Sequence, residues 1–279
     1  MPNDVEGSPA VLDVAAVSRS FGGVFAVRDV SLSVAPGEVR GIIGPNGAGK
    51  STLFNLVGGH LAVDAGTITY GGRRIERTSA HARAHDGIAI VFQGARIFRG
   101  MTARENVMVG AQPWTRHGFL SAALRLPRHW SEERAIGERA EHALEQVGLV
   151  DWADRDAAAL PLGQQRRLQV ARALCSQPRL LLLDEPASGL RAGERAVLAD
   201  LVEQLHGEGL TMLLIEHDVG FVTRLADRVT VLNLGQVIAE GTPQEVTADP
   251  GVIRAYIGGS APAGDSASAG DEERHAQRH

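Results

Sequence analysis

The sequence predicts an α/β fold with a mixed sheet core, an N-terminal antiparallel β part and a helical subdomain inserted into the core. Three observations lead to this prediction. The apolar runs at residues 180–183 and 212–215 are typical of parallel strands buried on both faces. Residues 11–17 and 24–34 are rich in β-branched side chains, which favours strands. Between these parts, residues 94 to about 179 contain mainly helical patterns.

Local signals place the remaining helices and strands along the chain. Thr102 and Glu105 form a capping-box pattern, which marks a helix start. Ser131, followed by two glutamates, is a second predicted N-cap. Residues 111–130 have no clear period, and an irregular insertion is predicted there. Helices are predicted over residues 52–57, 79–85, 102–109, 131–147, 163–176 and 194–206, short strands over 39–43, 66–73 and 88–92, and a hairpin over 229–239.

Composition limits the domain organisation and the kinds of partner. Residues 11–258 are predicted to form one large domain. Residues 1–10 are polar with two prolines, and we expect them to be loose. Residues 259–279 turn to Gly, Ala and Ser and then to charged residues, so we expect a disordered tail. A net charge of −5 argues against nucleic acid as a partner, since general nucleic-acid binders are usually basic.

Cysteine usage and hydropathy predict the compartment. The single cysteine, Cys175, cannot form an internal disulfide and suits the reducing cytosol. No stretch approaches the run of about 18 apolar residues that a transmembrane helix needs. The first residues lack the charged and apolar regions of a signal peptide. We therefore expect a protein without a transmembrane segment.

Residues 44–51 read G-P-N-G-A-G-K-S and match the phosphate-binding pattern G-x-x-x-x-G-K-[ST]. The three glycines let the backbone adopt positive φ and approach a ligand closely. The loop amides at a helix N-terminus then face an anion. Lys50 adds a compact charge, and it is the only lysine beside 27 arginines. We expect the amides and Lys50 to hold the β- and γ-phosphates, and Ser51 to place its hydroxyl on Mg²⁺.

Four further polar groups stand at the ends of strands or before a helix. Asp184 and Glu185 follow an apolar run, at the strand end where open α/β sheets bind ligands. There Asp184 would hold the hydration shell of Mg²⁺, and Glu185 would polarise an attacking water. Gln93 ends another predicted strand, and His217 follows the next apolar run. The pattern L-P-L-G-Q at residues 160–164 precedes a predicted helix.

Each of these signals alone is compatible with a helix cap, a polar strand end or a surface histidine. Their order is more specific: phosphate loop, strand-end glutamine, helical insert, L-x-x-G-Q, Asp-Glu and strand-end histidine. This order resembles the nucleotide-binding subunit of ABC transporters over residues 11–258. The resemblance implies a P-loop NTPase fold of the ABC type and an enzyme that binds ATP with Mg²⁺ and hydrolyses ATP.

The resemblance also implies roles for individual residues. Phe21 corresponds to the aromatic residue that stacks on adenine, and Gln93 to the glutamine that reaches Mg²⁺ and senses the membrane subunit. His217 corresponds to the switch histidine at the γ-phosphate, beside Glu185. Two subunits would close head to tail around ATP. The implied nucleotide contacts are Gly44, Pro45, Asn46, Gly47, Ala48, Gly49, Lys50, Ser51 and Thr52, with Leu162, Gly163 and Gln164 acting from the partner subunit.

Two positions depart from the usual pattern of this family. Where the signature reads L-S-G-G-Q, this chain has Pro161 at the serine and Leu162 at the first glycine. Proline offers neither a hydroxyl nor an N–H group. Arg191 stands where the family often has aspartate after Gly189 and Leu190. We expect these changes to affect turnover and coupling rather than ATP binding.

Several short segments are similar in sequence to those of branched-chain amino-acid importers. The resemblance implies import of branched-chain or other hydrophobic amino acids, at the cytoplasmic face of the inner or plasma membrane. Its partners would be a second ATP-binding subunit, two membrane permeases and, indirectly, a periplasmic or extracellular solute-binding protein. The segments that carry this resemblance are residues 21–23, 41–44, 52–56, 96–99, 161–167 and 252–258.

Three alternatives stay open on the sequence alone. The ATPase subunit of a lipopolysaccharide exporter has much of the same phosphate-loop sequence. A soluble, non-transport ABC ATPase usually carries a long coiled coil, a zinc insertion or two fused ATPase domains, and the sequence has no pattern of these. A plain phosphate-loop kinase would need neither the L-x-x-G-Q helix nor His217.

Overall fold

The computed structural model of the protein describes residues 10–94, 97–114 and 127–258. Three sequence predictions lie wholly or mostly outside this part of the chain: the loose N-terminal residues 1–10, the irregular insertion at 111–130 and the disordered tail at 259–279. Of the first two, residues 1–9 and 115–126 are outside the described ranges. Arg96, one of the residues that carry the resemblance, also lies outside them. Within the described ranges, no helix has both the length and the apolar character needed to cross a bilayer.

The described strands form two sheets. The four-stranded antiparallel sheet has the order β2-β1-β4-β5, and the six-stranded sheet has the order β10-β9-β3-β8-β7-β6. The strands of the first sheet are β1 (Leu12–Phe21), β2 (Val24–Val34), β4 (Ala65–Tyr70) and β5 (Arg73–Arg74). Those of the second are β3 (Val39–Ile43), β6 (Ile88–Val91), β7 (Leu180–Asp184), β8 (Thr211–Ile215), β9 (Arg228–Asn233) and β10 (Gln236–Gly241).

The six-stranded sheet is parallel except at β10, which pairs with β9 as an antiparallel hairpin. In its register Val91 pairs with Leu183, while Ile215 pairs with both Asp184 and Ile42. The carboxyl ends of β6, β7, β8 and β3 therefore meet at one edge of the sheet. Every polar group predicted at a strand end is thus delivered to the same edge.

Burial explains why the core strands read as continuous apolar runs. All residues of β3, β7 and β8 are buried. Leu181 and Leu183 belong to one core cluster with the helices, whereas Leu180 and Leu182 belong to the other with the antiparallel sheet. Because both faces of the sheet are covered, neither face selects for polar residues.

The helices lie on both sides of this sheet. The phosphate-loop helix α1 packs in the cluster with the antiparallel sheet. Helices α3, α4 and α5 pack against one another in the second cluster. The described helices are α1 (Lys50–Gly58), α2 (Ala80–His85), α3 (Ala103–Met108), α4 (Pro127–Gln146), α5 (Leu162–Leu174), α6 (Ala192–Gly207), α7 (Val219–Leu225), α8 (Pro243–Ala248) and α9 (Pro250–Gly258), with short 3-10 turns at Val109–Trp114, Val150–Trp152 and Ala157–Ala159.

One helix start was predicted correctly and another wrongly. The capping box of Thr102 and Glu105 is confirmed, since both of its reciprocal hydrogen bonds are present. Ser131 is not an N-cap, because α4 already begins at Pro127. Proline suits a first helical position, where its fixed φ fits and its missing N–H is not needed. Residues 111–114 form a 3-10 turn and residues 127–130 are helical, so neither is part of an irregular insertion.

Arg83 ties the phosphate-loop helix to helix α2. Its side chain is almost fully buried, with 1% of the residue exposed. The guanidinium donates to the carbonyls of Leu56 at 2.7 Å, Val57 at 2.6 Å and Ile75 at 2.6 Å. Two of these carbonyls belong to the last turn of α1, where helix carbonyls lack intrahelical partners. The buried Arg83 side chain and the Gly59 N–H, which donates to the Leu56 carbonyl at 3.3 Å, therefore close that helix end together.

We expect Arg83→Met to lower the free energy of unfolding by about 3 kcal/mol, because the carbonyls of Leu56, Val57 and Ile75 each lose a charged donor. Urea denaturation of the full chain measures this change. Arg77→Met, at an exposed position one turn before α2, is the control and should change the stability by less than about 0.5 kcal/mol. Equal effects of the two variants would contradict the role given to Arg83.

Candidate functional site

The phosphate loop, residues 44–51, connects β3 to α1 and depends on glycine for two reasons. Gly44, Gly47 and Gly49 have φ of 153°, 79° and 101°, which side chains other than glycine rarely adopt. A Cβ on Gly44 would lie 2.1 Å from the carbonyl oxygen of Leu232, and one on Gly49 would lie 2.2 Å from that of Ala26. The loop is therefore packed on one side, while nothing lies within 4 Å of a Cβ at Gly47.

The turn between β9 and β10 fixes the loop against the antiparallel sheet. The Gly235 N–H donates to the Ala48 carbonyl at 3.0 Å, and the Gly235 carbonyl accepts from the Arg28 N–H at 2.7 Å. A single glycine thus joins the phosphate loop to β2. This contact holds the loop in place through backbone groups alone.

Lys50 is buried within the loop, with 6% of the residue exposed. Its Nζ donates to the carbonyls of Gly44 at 2.7 Å and Pro45 at 3.1 Å. Burial lowers the pKa of Lys50, and the charges of three nearby carboxylates oppose this change. The ammonium therefore stands between the loop carbonyls and an acidic cluster. The carboxylates are those of Asp184, Glu185 and Glu216.

Asp184 presents an unsatisfied carboxylate oxygen at the end of β7. The residue is 8% exposed, and its Oδ1 has no hydrogen-bond partner among the described residues. Burial and the neighbouring Glu185 raise the pKa of Asp184, while Lys50 and the Gln93 backbone N–H oppose the rise. A buried, unpaired carboxylate oxygen is costly without a cation or a hydrated ion nearby.

A divalent cation at this edge would need ligands besides the side chains. In the described part of the chain, no group of three or more His, Cys, Asp or Glu residues is arranged to hold a metal ion. Mg²⁺ is commonly held by one or two carboxylates, water and substrate phosphates instead of a full protein cage. The single unsatisfied oxygen of Asp184 fits that kind of site.

Glu185 is held at the centre of a small polar cluster. Gln93 Nε2 donates to Glu185 Oε2 at 3.0 Å, and His217 Nδ1 lies 3.4 Å from the same oxygen. The backbone of Glu185 has φ of 44°, and its N–H donates to the Ile215 carbonyl at 2.9 Å. Positive φ is uncommon for a residue with a side chain and clusters at functional sites. The fold thus imposes this conformation and aims the carboxylate at Gln93 and His217.

Glu216 is a buried carboxylate beside this cluster and is not among the site residues predicted from the sequence. It follows β8 and is 0% exposed. Its Oε1 accepts from the Ala187 N–H at 2.9 Å, and its Oε2 accepts from the His217 N–H at 3.3 Å. Burial raises the pKa of Glu216, against the opposing effects of those N–H groups and His217. A charged residue directly after a wholly apolar strand was the available sequence signal.

The L-P-L-G-Q residues lie at the N-terminus of α5, apart from the phosphate loop. The Gly163 N–H donates to Glu194 Oε1 at 3.3 Å, and Glu194 Oε2 accepts from the Arg191 N–H at 3.0 Å. Leu162 is 38% exposed, and the buried Oε1 of Gln164 has no partner in the described residues. A carboxylate of the same chain therefore meets a helix N-terminus, where anions are stabilised.

Phe21 lies at the end of β1 with 47% of the residue exposed. The Arg19 guanidinium stands over its ring, 4.9 Å from the ring centre. Asp64 orients this segment, because it accepts from Arg19 at 2.7 Å and from the Ser20 N–H at 2.8 Å. The ring is thus held by a cation–π contact that is worth about 0.5–1 kcal/mol at exposed sites.

The contacts thus unite some predicted site residues and leave others apart. Direct contacts join Gln93, Glu185 and His217 at one sheet edge, and the charges of Lys50 and Asp184 act on the same cluster. Within the described residues, no hydrogen bond or ion pair joins this cluster to Phe21 or to the L-P-L-G-Q segment. Among the other predicted nucleotide contacts, Asn46 and Ser51 are exposed and Thr52 is half-buried.

Comparison with known proteins identifies the class. A family model for ABC transporters matches residues 27–188. The nucleotide-free crystal structure of an ATP-binding cassette from an ABC transporter has a TM-score of 0.78 and 32% identity, over 89% of this chain and 99% of that chain. The crystal structure of the ADP conformation of MJ1267, an ATP-binding cassette of an ABC transporter, has a TM-score of 0.79 and 33% identity, over 90% of this chain and 100% of that chain. The chain therefore belongs to the ATP-binding cassettes of ABC transporters, which confirms the predicted P-loop NTPase fold of the ABC type.

The resemblance to branched-chain amino-acid importers is also confirmed. The high-affinity branched-chain amino acid transport ATP-binding protein BraF of Pseudomonas aeruginosa is 40% identical over 90% of this chain and 99% of its own length. The corresponding LivG of Escherichia coli is 39% identical over the same shares. The lipopolysaccharide export ATP-binding protein LptB of Escherichia coli is 34% identical over 89% and 98%. A second family model, for branched-chain amino acid ATP-binding cassette transporters, matches residues 236–262.

The lone lysine allows a direct test of the loop. We expect an amine-reactive reagent to modify Lys50 and the N-terminal amine, as Lys50 is the only lysine in the sequence. With Mg·ATP at about 100 times its Kd, labelling of Lys50 should slow by up to about 100-fold, because only free protein reacts. Peptide mass spectrometry measures both rates, and the N-terminal amine is the internal control. An unchanged Lys50 rate would contradict nucleotide binding at this loop.

Proposed function

We propose that this chain is the ATP-binding and ATP-hydrolysing subunit of an importer for branched-chain or other hydrophobic amino acids. The observation that supports this most strongly is the convergence of a phosphate loop, a buried lysine and an oriented carboxylate at one sheet edge. Lys50 is held by loop carbonyls, and Glu185 is held by Gln93 and His217. This arrangement supplies both an anion site and a base beside it.

The phosphate loop is the proposed nucleotide site. Its amides and Lys50 hold the β- and γ-phosphates, and Phe21 stacks on the adenine. Ser51, Gln93 and Asp184 would hold Mg²⁺, and the ion would supply positive charge to the phosphate oxygens. The unpaired, buried Oδ1 of Asp184 supports this assignment.

Glu185 is the proposed base for hydrolysis. A water molecule attacks the γ-phosphorus, its proton passes to the Glu185 carboxylate, and the bond from that phosphorus to the bridging oxygen of ADP breaks. Gln93 and His217 keep the carboxylate oriented, since each lies within 3.4 Å of Oε2. A base must lie within hydrogen-bonding reach of the proton it accepts, so this orientation matters directly.

The relatives support import rather than export. Identity is 40% with a branched-chain amino acid transport protein and 34% with a lipopolysaccharide export protein, over similar shares of the chain. The match at residues 236–262 lies outside the general ABC match at 27–188, so it supports the same conclusion independently. The ATPase of a lipopolysaccharide exporter remains the second candidate because of its 34% identity.

A second ATP-binding subunit, identical or different, completes the proposed site. Leu162, Gly163 and Gln164 contact the nucleotide held by the partner subunit. The Gly163 N–H, which now donates to Glu194, supports this assignment because it lies at a helix N-terminus. Glu194 must release that N–H before a phosphate can accept it.

The membrane permeases are proposed to bind a groove between α2 and the helical layer. The groove has a volume of about 590 Å³ and contains aromatic and small side chains, among them His81, Ala84, His85 and Phe98. Phe98 is 45% exposed there, as expected for a surface that a helix of another subunit covers. In this proposal the chain lies at the cytoplasmic face of the membrane, and it is linked to the solute-binding protein only through the permeases.

We expect Glu185→Gln to bind ATP with a Kd within about threefold of the parent protein and to lose at least about 100-fold in hydrolysis, the usual contribution of a general base. Phosphate release and equilibrium nucleotide binding measure the two effects. Glu203→Gln, at an exposed position of α6, is the control carboxylate outside the proposed nucleotide site. Undiminished hydrolysis by Glu185→Gln would exclude this residue as the base.

We expect Ala84→Arg to fill the groove, so that the chain no longer co-purifies with its permeases while its own ATP hydrolysis changes by less than about twofold. Affinity purification of the co-expressed transporter measures the loss. Ala248→Arg, at an exposed position of α8, is the control and should leave the complex intact. Retained assembly of the Ala84 variant would show that the permeases bind elsewhere.

A further inference from the structure

Glu216 is a buried carboxylate that the proposed mechanism leaves without a role. It is 0% exposed, one residue beyond β8. A carboxylate in such a position costs several kcal/mol in lost hydration unless hydrogen bonds and charges compensate. An uncharged side chain would fill the same space at less cost. The contacts of Glu216 therefore need a specific reason.

The two oxygens of Glu216 serve two different segments. Oε1 accepts from the Ala187 N–H at 2.9 Å, in the loop that follows Glu185. Oε2 accepts from the His217 N–H at 3.3 Å and lies 3.6 Å from the ring Nδ1 of the same histidine. One rigid carboxylate thus joins the backbone behind the proposed base to the backbone and ring of His217.

The His217 ring consequently lies between two carboxylates. Its Nδ1 is 3.4 Å from Glu185 Oε2 and 3.6 Å from Glu216 Oε2. The Ser188 N–H donates to the Glu185 carbonyl at 3.1 Å, which closes a tight turn around Ala187. Since Glu216 holds the middle of this turn, it sets where Glu185 stands relative to His217.

The helix that begins with the L-P-L-G-Q segment reaches the same turn from the other side. Arg166, 6% exposed, donates from Nη2 to the Ser188 carbonyl at 3.1 Å. Gln169 donates to the Gly94 carbonyl at 2.7 Å, next to Gln93. Arg166 and Glu216 also attract each other across the turn. These contacts connect His217, the Ala187 turn, α5 and the Gln93 segment in a continuous ring, which the contacts of Glu185 with Gln93 and His217 complete.

We propose that Glu216 is a positioning residue that acts through His217 and keeps this histidine aligned with Glu185. This inference rests on the proposed ATPase function and adds a residue to its site. Glu216 holds the histidine backbone and ring to the turn behind the base, so that the two groups move together. It touches neither the water nor the phosphate.

A matched buried carboxylate separates this role from a merely structural one. Glu38 is 9% exposed, accepts from the Ala35 N–H at 2.6 Å and pairs with Arg40 at 2.7 Å. It precedes β3 and so lies at the sheet edge opposite the phosphate loop. If buried carboxylates matter only for stability, Glu38 and Glu216 should behave alike.

The test compares Glu216→Gln with Glu38→Gln in the full chain. Glutamine keeps an oxygen that can accept from the Ala187 N–H. Its NH₂ group then faces the His217 N–H, and because both groups are donors this hydrogen bond is lost. We expect Glu216→Gln to lower kcat by about 10- to 100-fold, the cost of losing an outer partner of a functional side chain, with KM for ATP within about threefold. Glu38→Gln should change thermal stability but not kcat.

A double variant identifies the route of the effect. If Glu216 acts through His217, Glu216→Gln combined with His217→Ala should be no slower than His217→Ala alone, since coupled residues are not additive. Additive losses, or a wild-type kcat in Glu216→Gln, would overturn the proposal. Lys50→Ala and Glu185→Gln separate a failure of the proposed ATPase function from a failure of the role proposed for Glu216. If both variants retain hydrolysis, the proposed function is wrong. If both lose hydrolysis, the function stands and the result for Glu216→Gln tests only the role of Glu216.

Discussion

The site depends on the parallel register of four core strands. Ile215 pairs with both Asp184 and Ile42, and Val91 pairs with Leu183, so that four strand ends stop level with one another. Each end carries one part of the site: the phosphate loop, the two carboxylates, the glutamine and the histidine. A slip of one residue in β7 would turn Asp184 toward the opposite face of the sheet, because side chains alternate along a strand.

The same edge concentrates buried charge. Lys50, Asp184 and Glu216 are each at most 8% exposed, and none would be stable as an isolated buried ion. Burial lowers the pKa of Lys50 and raises the pKa values of Asp184 and Glu216, and the opposite charges partly offset both effects. The charged form of each group therefore depends on its charged neighbours. A nucleotide with Mg²⁺ would bind beside positive and negative charges that already offset one another.

The contacts also couple the helical layer to the chemistry. Arg166 and Gln169 on α5 hold the turn behind Glu185 and the segment after Gln93. A movement of α5 would therefore reach the turn behind Glu185 and the backbone next to Gln93. This coupling follows from hydrogen bonds to backbone carbonyls, which do not depend on the identity of the residues that accept them. Neither of these two hydrogen bonds involves Pro161 or Arg191, the positions that depart from the family pattern.

The sequence by itself determined the parts of the site that are encoded locally. Eight consecutive residues specify the phosphate loop through glycine backbone freedom and one lysine, two apolar runs specify strands buried on both faces, and Thr102 with Glu105 specifies a helix start. Only the tertiary structure decided which groups touch. The contacts of Glu216 with Ala187, of Glu194 with Gly163 and of Arg83 with Leu56 join residues 29, 31 and 27 positions apart. Such contacts depend on strand register and helix packing, which no local pattern records, and the start of α4 at Pro127 was missed because Ser131 offered a competing local signal.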